Sequence, residues 1–131
     1  MHYWFCRNAT AWVIRDHIYH LKQNPVSLDA IELVLGHSSG HIWDSFHICD
    51  PSIVGGTFRF GNRGFKHAVL YLGNNVDASV NNEIGIAFAN NAAGEWVLRP
   101  ELLVGYPQQG HWGVGQPSAV NLDGKGHIAV F

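Results

Sequence analysis

The sequence repeats itself with a period of 66 residues. Residues 50–54, Asp-Pro-Ser-Ile-Val, return as residues 116–120, Gln-Pro-Ser-Ala-Val. At the same offset, residues 3–5 align with 69–71 and residues 18–21 with 84–87. A fixed period of this size, built from short apolar runs, is typical of radial or stacked arrays in which no unit buries its faces alone. With 131 residues the chain holds about two units, so we expect it to be a piece of a larger protein.

Composition excludes several classes of protein. A hydrophobic fraction of 47% and an aromatic fraction of 12% exclude a disordered chain. The net charge is −2 and the eight Lys and Arg residues are scattered, so no nucleic-acid surface is predicted. No apolar run approaches the roughly 20 residues of a membrane-spanning helix, so no membrane partner is predicted. Cys6 and Cys49 lack the spacing of a disulfide framework or a metal site.

Short β-prone runs separated by glycine and asparagine turns dominate the repeat. Residues 52–54 end at Gly55-Gly56, and the run 57–60 ends at a Gly-Asn turn. Further strands are predicted over 66–72, 83–89, 95–98 and 101–104, the last two separated by Pro100. About four strands per repeat is the content of one propeller blade. The sequence therefore predicts an all-β fold, a partial β-propeller.

The repeat register divides the chain into three parts. Residues 1–42 are predicted to form the last three strands of one blade, over 3–7, within 12–21 and over 30–35. Residues 43–110 form a complete blade, and residues 111–131 form the first strands of the next. A helical turn over 27–35 is an alternative, because Leu28, Ile31, Glu32 and Leu35 have helical spacing.

The candidate site residues are those that come just before the two Pro-Ser strands. In a propeller these would be the innermost strands of their blades, which converge on the central axis, and one mouth of that axis is the usual ligand site. Asp50 is predicted to be an axial carboxylate, and His47, Trp43, Trp112 and Gln116 are predicted to contact a ligand. A carboxylate, an imidazole and an indole together are typical of a carbohydrate-binding surface. The alternatives are that Asp50 is a turn residue bonded to its own backbone and that the two indoles pack between blades.

Histidines elsewhere in the chain are a weaker signal. His37 with His41, or His17 with His20, has the spacing of paired metal ligands. Carboxylate or thiol partners are missing at matching positions, so surface histidines are the preferred interpretation. No metal or other cofactor is predicted from the residues themselves.

Three motifs in this order resemble five-bladed β-propeller glycoside hydrolases of the arabinanase, xylosidase and levanase type. They are Asp-Pro-Ser-x-Val at 50–54, residues 82–87 followed by Gly-Glu-Trp at 94–96, and Gly-Gln-Pro-Ser at 115–118 with Asp-Gly at 123–124. The resemblance covers about residues 43–131 and, more weakly, 3–42. It implies a parent that acts on glycosidic bonds of polysaccharides or oligosaccharides. Its partners would be a carbohydrate and the remaining blades. An axial calcium and secretion of the parent are implied only by this resemblance, and the compartment is otherwise unknown.

The same resemblance assigns catalytic roles to axial carboxylates. Members of the family use one Asp as base or nucleophile, a second Asp that tunes the acid, and a Glu as general acid. Only Asp50 corresponds, preferentially to the tuning Asp. At the next inner strand the chain has Gln116, and an amide cannot donate a proton as a general acid.

Three hypotheses therefore stay open. The chain is a fragment of a glycoside hydrolase-like propeller whose acid lies elsewhere, and the 131 residues alone are expected to be inactive. Alternatively, it belongs to a non-catalytic carbohydrate-binding or structural propeller. In the third hypothesis the short chain assembles with copies of itself to close a ring.

Overall fold

A computed structural model describes residues 43–91 and 94–131 in full, and the backbone of residues 3–7, 17–21 and 31–35. These residues form nine strands and no helix, which confirms the all-β prediction. Within the described ranges no helix is long and apolar enough to cross a membrane. The strands are β1 (Tyr3–Arg7), β2 (His17–Leu21), β3 (Ile31–Leu35), β4 (His47–Phe60), β5 (Arg63–Asn74), β6 (Glu83–Ala89), β7 (Val97–Leu98), β8 (Ala119–Asn121) and β9 (Ile128–Val130).

The strands form three antiparallel sheets in the order of the sequence. The first sheet is β1-β2-β3, the second is β4-β5-β6-β7, and the third is the hairpin β8-β9. Three strands predicted before residue 42 are confirmed by β1, β2 and β3. The helical alternative over 27–35 is wrong for residues 31–35, which pair with β2; residues 27–30 lie outside the described chain. His37 and His41, whose spacing would also suit a pair of metal ligands, lie outside it as well.

Two predictions about the central sheet need correction. The runs 52–54 and 57–60 are one strand, β4. Gly55 pairs with β5, and the extra residue lies in a bulge at Gly56 and Thr57, between the register pairs of Gly55 and Phe58, so the chain does not turn here. Residues 101–104 are not a strand, and only Val104 forms a bridge, to Ile84. The reason is that β7 and the Arg99 amide already occupy β6 from Ile86 onwards.

The central sheet is apolar on both faces, because side chains along its strands alternate between them. One face, called the Tyr71 face, carries the buried side chains of Ile48, Val69, Tyr71, Ala87, Ala89 and Trp96. The other, called the Leu70 face, carries Val54, Phe58, Phe65, Ala68, Leu70, Ile84, Ile86 and Phe88. The β8-β9 hairpin covers the Leu70 face with Ala119 and Ile128. A sheet buried on both faces must lie between other layers, and β1 and β2 also approach β4.

Candidate functional site

Asp50 and Gln116 adopt the same unusual backbone conformation at equivalent positions of the repeat. Their φ angles are 50° and 52°, in the left-handed region that most side chains avoid. Asn81, with φ of 57°, is the one other such non-glycine residue in the part of the chain that the structure describes. Left-handed conformation costs about 1–2 kcal/mol in a residue that carries a Cβ. Two equivalent outliers therefore indicate a constraint that the repeat imposes on both sites.

A bulge in β4 produces the conformation at Asp50. The register passes from Cys49–Leu72 to Ser52–Leu70, so β4 has one residue more than β5 at this point. A bulge changes the direction in which a side chain points. It also accommodates a proline such as the one that follows Asp50, because the bulged residue is not needed as a ladder donor. Asp50 is half-buried, whereas Gln116 is exposed.

Hydrogen bonds align the strand of Asp50 with the strand of Gln116. The Ala119 amide donates to the Ser52 hydroxyl oxygen at 3.0 Å, and the Asn121 side chain donates to the Gly55 carbonyl. Both strands advance in the same direction, so Asp50 and Gln116 lie at the same end of the β4-β8 pair. Gly115 also lies against Leu72, the register partner of Cys49. Asp50 on β4 and Gln116, three residues before β8, therefore lie toward the same end of these two strands.

Trp43 is held in the protein by packing on several sides. Its ring stacks on Tyr71, with centroids 5.7 Å apart and planes at 17°, and its Nε1 donates to the Pro100 carbonyl at 3.1 Å. A Cβ at Gly73 or Gly85 would lie 2.7 or 2.4 Å from the indole. These contacts are those of a packing aromatic, the alternative that the sequence left open for this residue.

Trp112 has the opposite environment. It is 49% exposed and lies at a groove of about 420 Å³, lined also by Ile84, Val104, Gly113, Val114, Gly115, Val130 and Phe131. Two backbone hydrogen bonds with Asn82 position the segment that contains Trp112. The Asn82 amide donates to the Trp112 carbonyl, and the Val114 amide donates to the Asn82 carbonyl. An exposed indole on a fixed backbone is suited to stacking on a flat apolar ligand face.

His47 lies at the first position of β4, opposite Asn74 in the register. The ring meets Phe46 edge-on, with centroids 4.7 Å apart. Asn74 is buried, and its side-chain nitrogen donates to the Ala78 carbonyl at 2.9 Å and to Asn82 Oδ1 at 3.2 Å. Its Oδ1 is buried without a hydrogen bond among the described residues. The half-buried imidazole thus lies at a polar end of the sheet.

Sequence analysis missed Asp44, Asn74 and Asn82, the three buried polar residues of the described chain. Asp44 is fully buried and accepts a hydrogen bond from the Tyr71 hydroxyl at 3.0 Å. Burial, and then the charge of Asp44, raises the pKa of Tyr71 far above its usual value. Asn74 could have been found, because it closes an apolar strand at a predicted turn; Asp44 carries no distinguishing spacing.

Glu83, the first residue of β6, is half-buried. Burial raises the pKa of its carboxyl group, and a hydrogen bond from the Tyr106 backbone opposes this. Its Oε1 lies near Gly105, on the β7 side of the sheet away from β4. Glu83 on β6 is separated from Asp50 on β4 by the intervening strand β5.

No known protein family, curated protein or solved structure matches the chain. The resemblance to glycoside hydrolases thus rests on the three motifs alone. Among the described residues, no three His, Cys, Asp or Glu side chains are grouped as metal ligands. The calcium that the resemblance implies therefore finds no group of three such side chains within these residues.

Proposed function

We propose that the chain is part of a carbohydrate-active β-propeller whose ligand surface is formed where the Pro-Ser strands begin. The observation that carries this proposal is the pair Asp50 and Gln116, with equivalent left-handed backbones at the same end of adjacent strands. In a propeller those strands are the innermost of successive blades, and ligands bind at one mouth of the axis. Strained backbone at two equivalent positions supports a functional reason for holding them there.

The chemistry of this end suits a sugar. A carboxylate and an amide supply acceptors and a donor for hydroxyl groups, and the exposed indole of Trp112 supplies an apolar surface for a sugar ring. His47, half-buried on β4, is the further candidate contact. Trp43 is left out of the proposed surface because its N–H and one ring face are already used.

Of the two carbohydrate-active hypotheses, one observation favours a non-catalytic binding module. Gln116 occupies the position equivalent to Asp50, and its amide cannot act as a general acid. Glycosidases need a pair of carboxyl groups, one on each side of the glycosidic bond, whose environments give them different pKa values. A glycoside hydrolase-like parent would have to supply the acid from another part of the protein.

The test is oligosaccharide binding by the full chain on a glycan array, followed by calorimetry with the best ligand. Asp50→Ala and Trp112→Ala are each expected to weaken binding by at least about tenfold, or 1.4 kcal/mol. Asp77→Ala, which removes a carboxylate from an exposed loop, is the matched control and should leave binding unchanged. A folded wild-type chain that binds no glycan overturns the proposal.

Chromogenic aryl glycosides decide between the two hypotheses when the longer parent protein is assayed, because neither hypothesis expects turnover by the 131 residues alone. A parent that binds glycans without turnover supports the non-catalytic module. Turnover by the parent that Asp50→Asn abolishes and Asp77→Asn does not would support the hydrolase-like hypothesis instead.

A further inference from the structure

Asn81 lies in the loop between β5 and β6, two residues before Glu83 begins β6. Its φ angle of 57° places the backbone in the left-handed region. Asparagine enters this region more readily than most residues, because its short polar side chain can form a local hydrogen bond. The half-buried side chain of Asn81 contacts the segment of residues 110–114, which we call the Trp112 turn. The backbone of Asn81 thus directs its side chain at the segment that carries the exposed indole.

Two hydrogen bonds join Asn81 to the start of the Trp112 turn. Its backbone amide donates to the His111 carbonyl at 2.8 Å, and its Oδ1 accepts from the Gly110 amide at 2.7 Å. A backbone amide can only donate, so the atom that faces Gly110 must be the side-chain oxygen. Among the described residues this is the one hydrogen bond between a side chain and the Trp112 turn. It is therefore the contact that a substitution can remove while the backbone bonds stay in place.

The other end of the Trp112 turn is held by backbone groups. Asn82 donates its amide to the Trp112 carbonyl at 3.2 Å and forms a parallel bridge with Gly113. A Cβ at Gly113 would overlap the Asn82 carbonyl oxygen, so the two backbones are in close contact. A Cβ at Gly110, in contrast, would meet nothing within 4 Å. The turn therefore has room to shift at its Gly110 end, which is the end that the Asn81 side chain holds.

We propose that Asn81 is a positioning residue of the proposed ligand surface. By holding the Gly110 end of the Trp112 turn, its Oδ1 sets the direction in which the indole of Trp112 is presented. An indole that is held in place before a ligand arrives loses less conformational entropy on binding. The inference rests on the proposed function for what the indole binds, and Asn81 acts through Trp112 without touching the ligand.

Three substitutions separate the side-chain bond from the backbone conformation. Asn81→Gly keeps the left-handed backbone and removes Oδ1. Asn81→Asp keeps the oxygen in a side chain that also tolerates this region. Asn75→Ala is the matched control, because it removes the other partner of the Asn81 side chain, at 3.4 Å, and leaves the bond to Gly110 intact.

The first measurement is the fluorine NMR spectrum of the full chain labelled with fluorotryptophan, in which Trp112→Phe assigns one of the five tryptophan resonances. Asn81→Gly is expected to shift the Trp112 resonance by more than its line width and to leave the other resonances in place. Asn81→Asp and Asn75→Ala should match the wild type. An unmoved Trp112 resonance in Asn81→Gly overturns the proposal. Movement of every tryptophan resonance also overturns it, since Asn81 would then support the whole fold.

Hydrogen exchange of the wild type is a second measurement, and it needs no variant. Because the Gly110 amide donates to Asn81 Oδ1, it should exchange about tenfold more slowly than in an unstructured peptide, as expected for one hydrogen bond. Exchange at the rate of an unstructured peptide contradicts the proposal.

Titration with the best glycan from the array then tests the route from Asn81 to the ligand. Asn81→Gly should weaken binding by about threefold to tenfold in the wild-type background and should have no further effect in Trp112→Ala. A further loss in Trp112→Ala would mean that Asn81 does not act through the indole, and the proposal would be wrong. If no glycan binds, the proposed function fails, while the NMR and exchange results still decide the role of Asn81.

Discussion

The hydroxyl group of Tyr71 donates a hydrogen bond to the carboxylate of Asp44, and both residues are fully buried. The contact joins the segment before β4 to the middle of β5. Trp43, which stacks on Tyr71, fastens the same segment a second time. The chain segment that precedes β4, and with it the proposed ligand surface, is thereby held against the core of the central sheet.

Tyr71→Phe is expected to destabilise the protein by about 1–3 kcal/mol, because it removes a donor from a buried carboxylate. Urea unfolding would measure the change. Tyr106→Phe is the control, since its hydroxyl contacts Gln108 at an exposed site and its loss should change little. Equal effects of the two variants would show that the buried contact has no special role.

Gly85→Ala is expected to destabilise by more than about 1 kcal/mol through overpacking. The new methyl group would lie 2.4 Å from Trp43 and 2.6 Å from Tyr71. Gly64→Ala, in a strand with open space around it, should be neutral or slightly stabilising. Thermal unfolding of the two variants makes the comparison, and similar melting temperatures would contradict the packing argument.

Gln116→Gly should relieve the left-handed strain at its site. The relief of about 1–2 kcal/mol is offset in part by about 0.5–1 kcal/mol of backbone entropy. We therefore expect a gain in stability of up to about 1 kcal/mol. Gln109→Gly, at an exposed position without positive φ, should instead lose stability. A loss of stability in Gln116→Gly would mean that its backbone is not strained.

Glu83→Gln should stabilise the protein near neutral pH. Burial raises the pKa of this carboxyl group in the folded state. The group therefore ionises more readily in the unfolded chain, and its ionisation destabilises the fold as pH rises above the usual pKa near 4.5. The stabilisation should therefore be full above the raised pKa and vanish at acidic pH, where wild-type Glu83 is protonated. Melting temperatures against pH would show this, with exposed Glu95→Gln as the control.

Asp123 should make the hairpin turn sensitive to acid. Its Oδ1 accepts hydrogen bonds from the amides of Lys125, Gly126 and His127, which lower its pKa from 3.8 to about 2. A lowered pKa stabilises the fold above pH 3.8, and this contribution is lost as pH falls towards about 2. The difference in stability between wild type and Asp123→Ala should shrink over this window.

Most strands of the described residues could be predicted from the 66-residue period and the turn residues. Apolar runs such as 83–89 gave correct strands because a run bounded by Asn and Gly has few other ways to satisfy its backbone. The strand over 101–104 could not be excluded from sequence, since only the sheet reveals that β7 already occupies that edge of β6. Likewise, Gly55-Gly56 reads locally as a turn, but tertiary pairing with β5 makes it a bulge.

The candidate site divides in the same way. The sequence by itself determined which residues repeat, and therefore that Asp50 and Gln116 occupy equivalent positions. Only the tertiary structure decided that Trp43 packs in the protein while Trp112 is exposed, because the environment of an indole depends on residues distant in the chain, here Tyr71 and Pro100. The buried Asp44 was invisible for the same reason: a carboxylate becomes a buried hydrogen-bond acceptor only when folding brings a hydroxyl group to it.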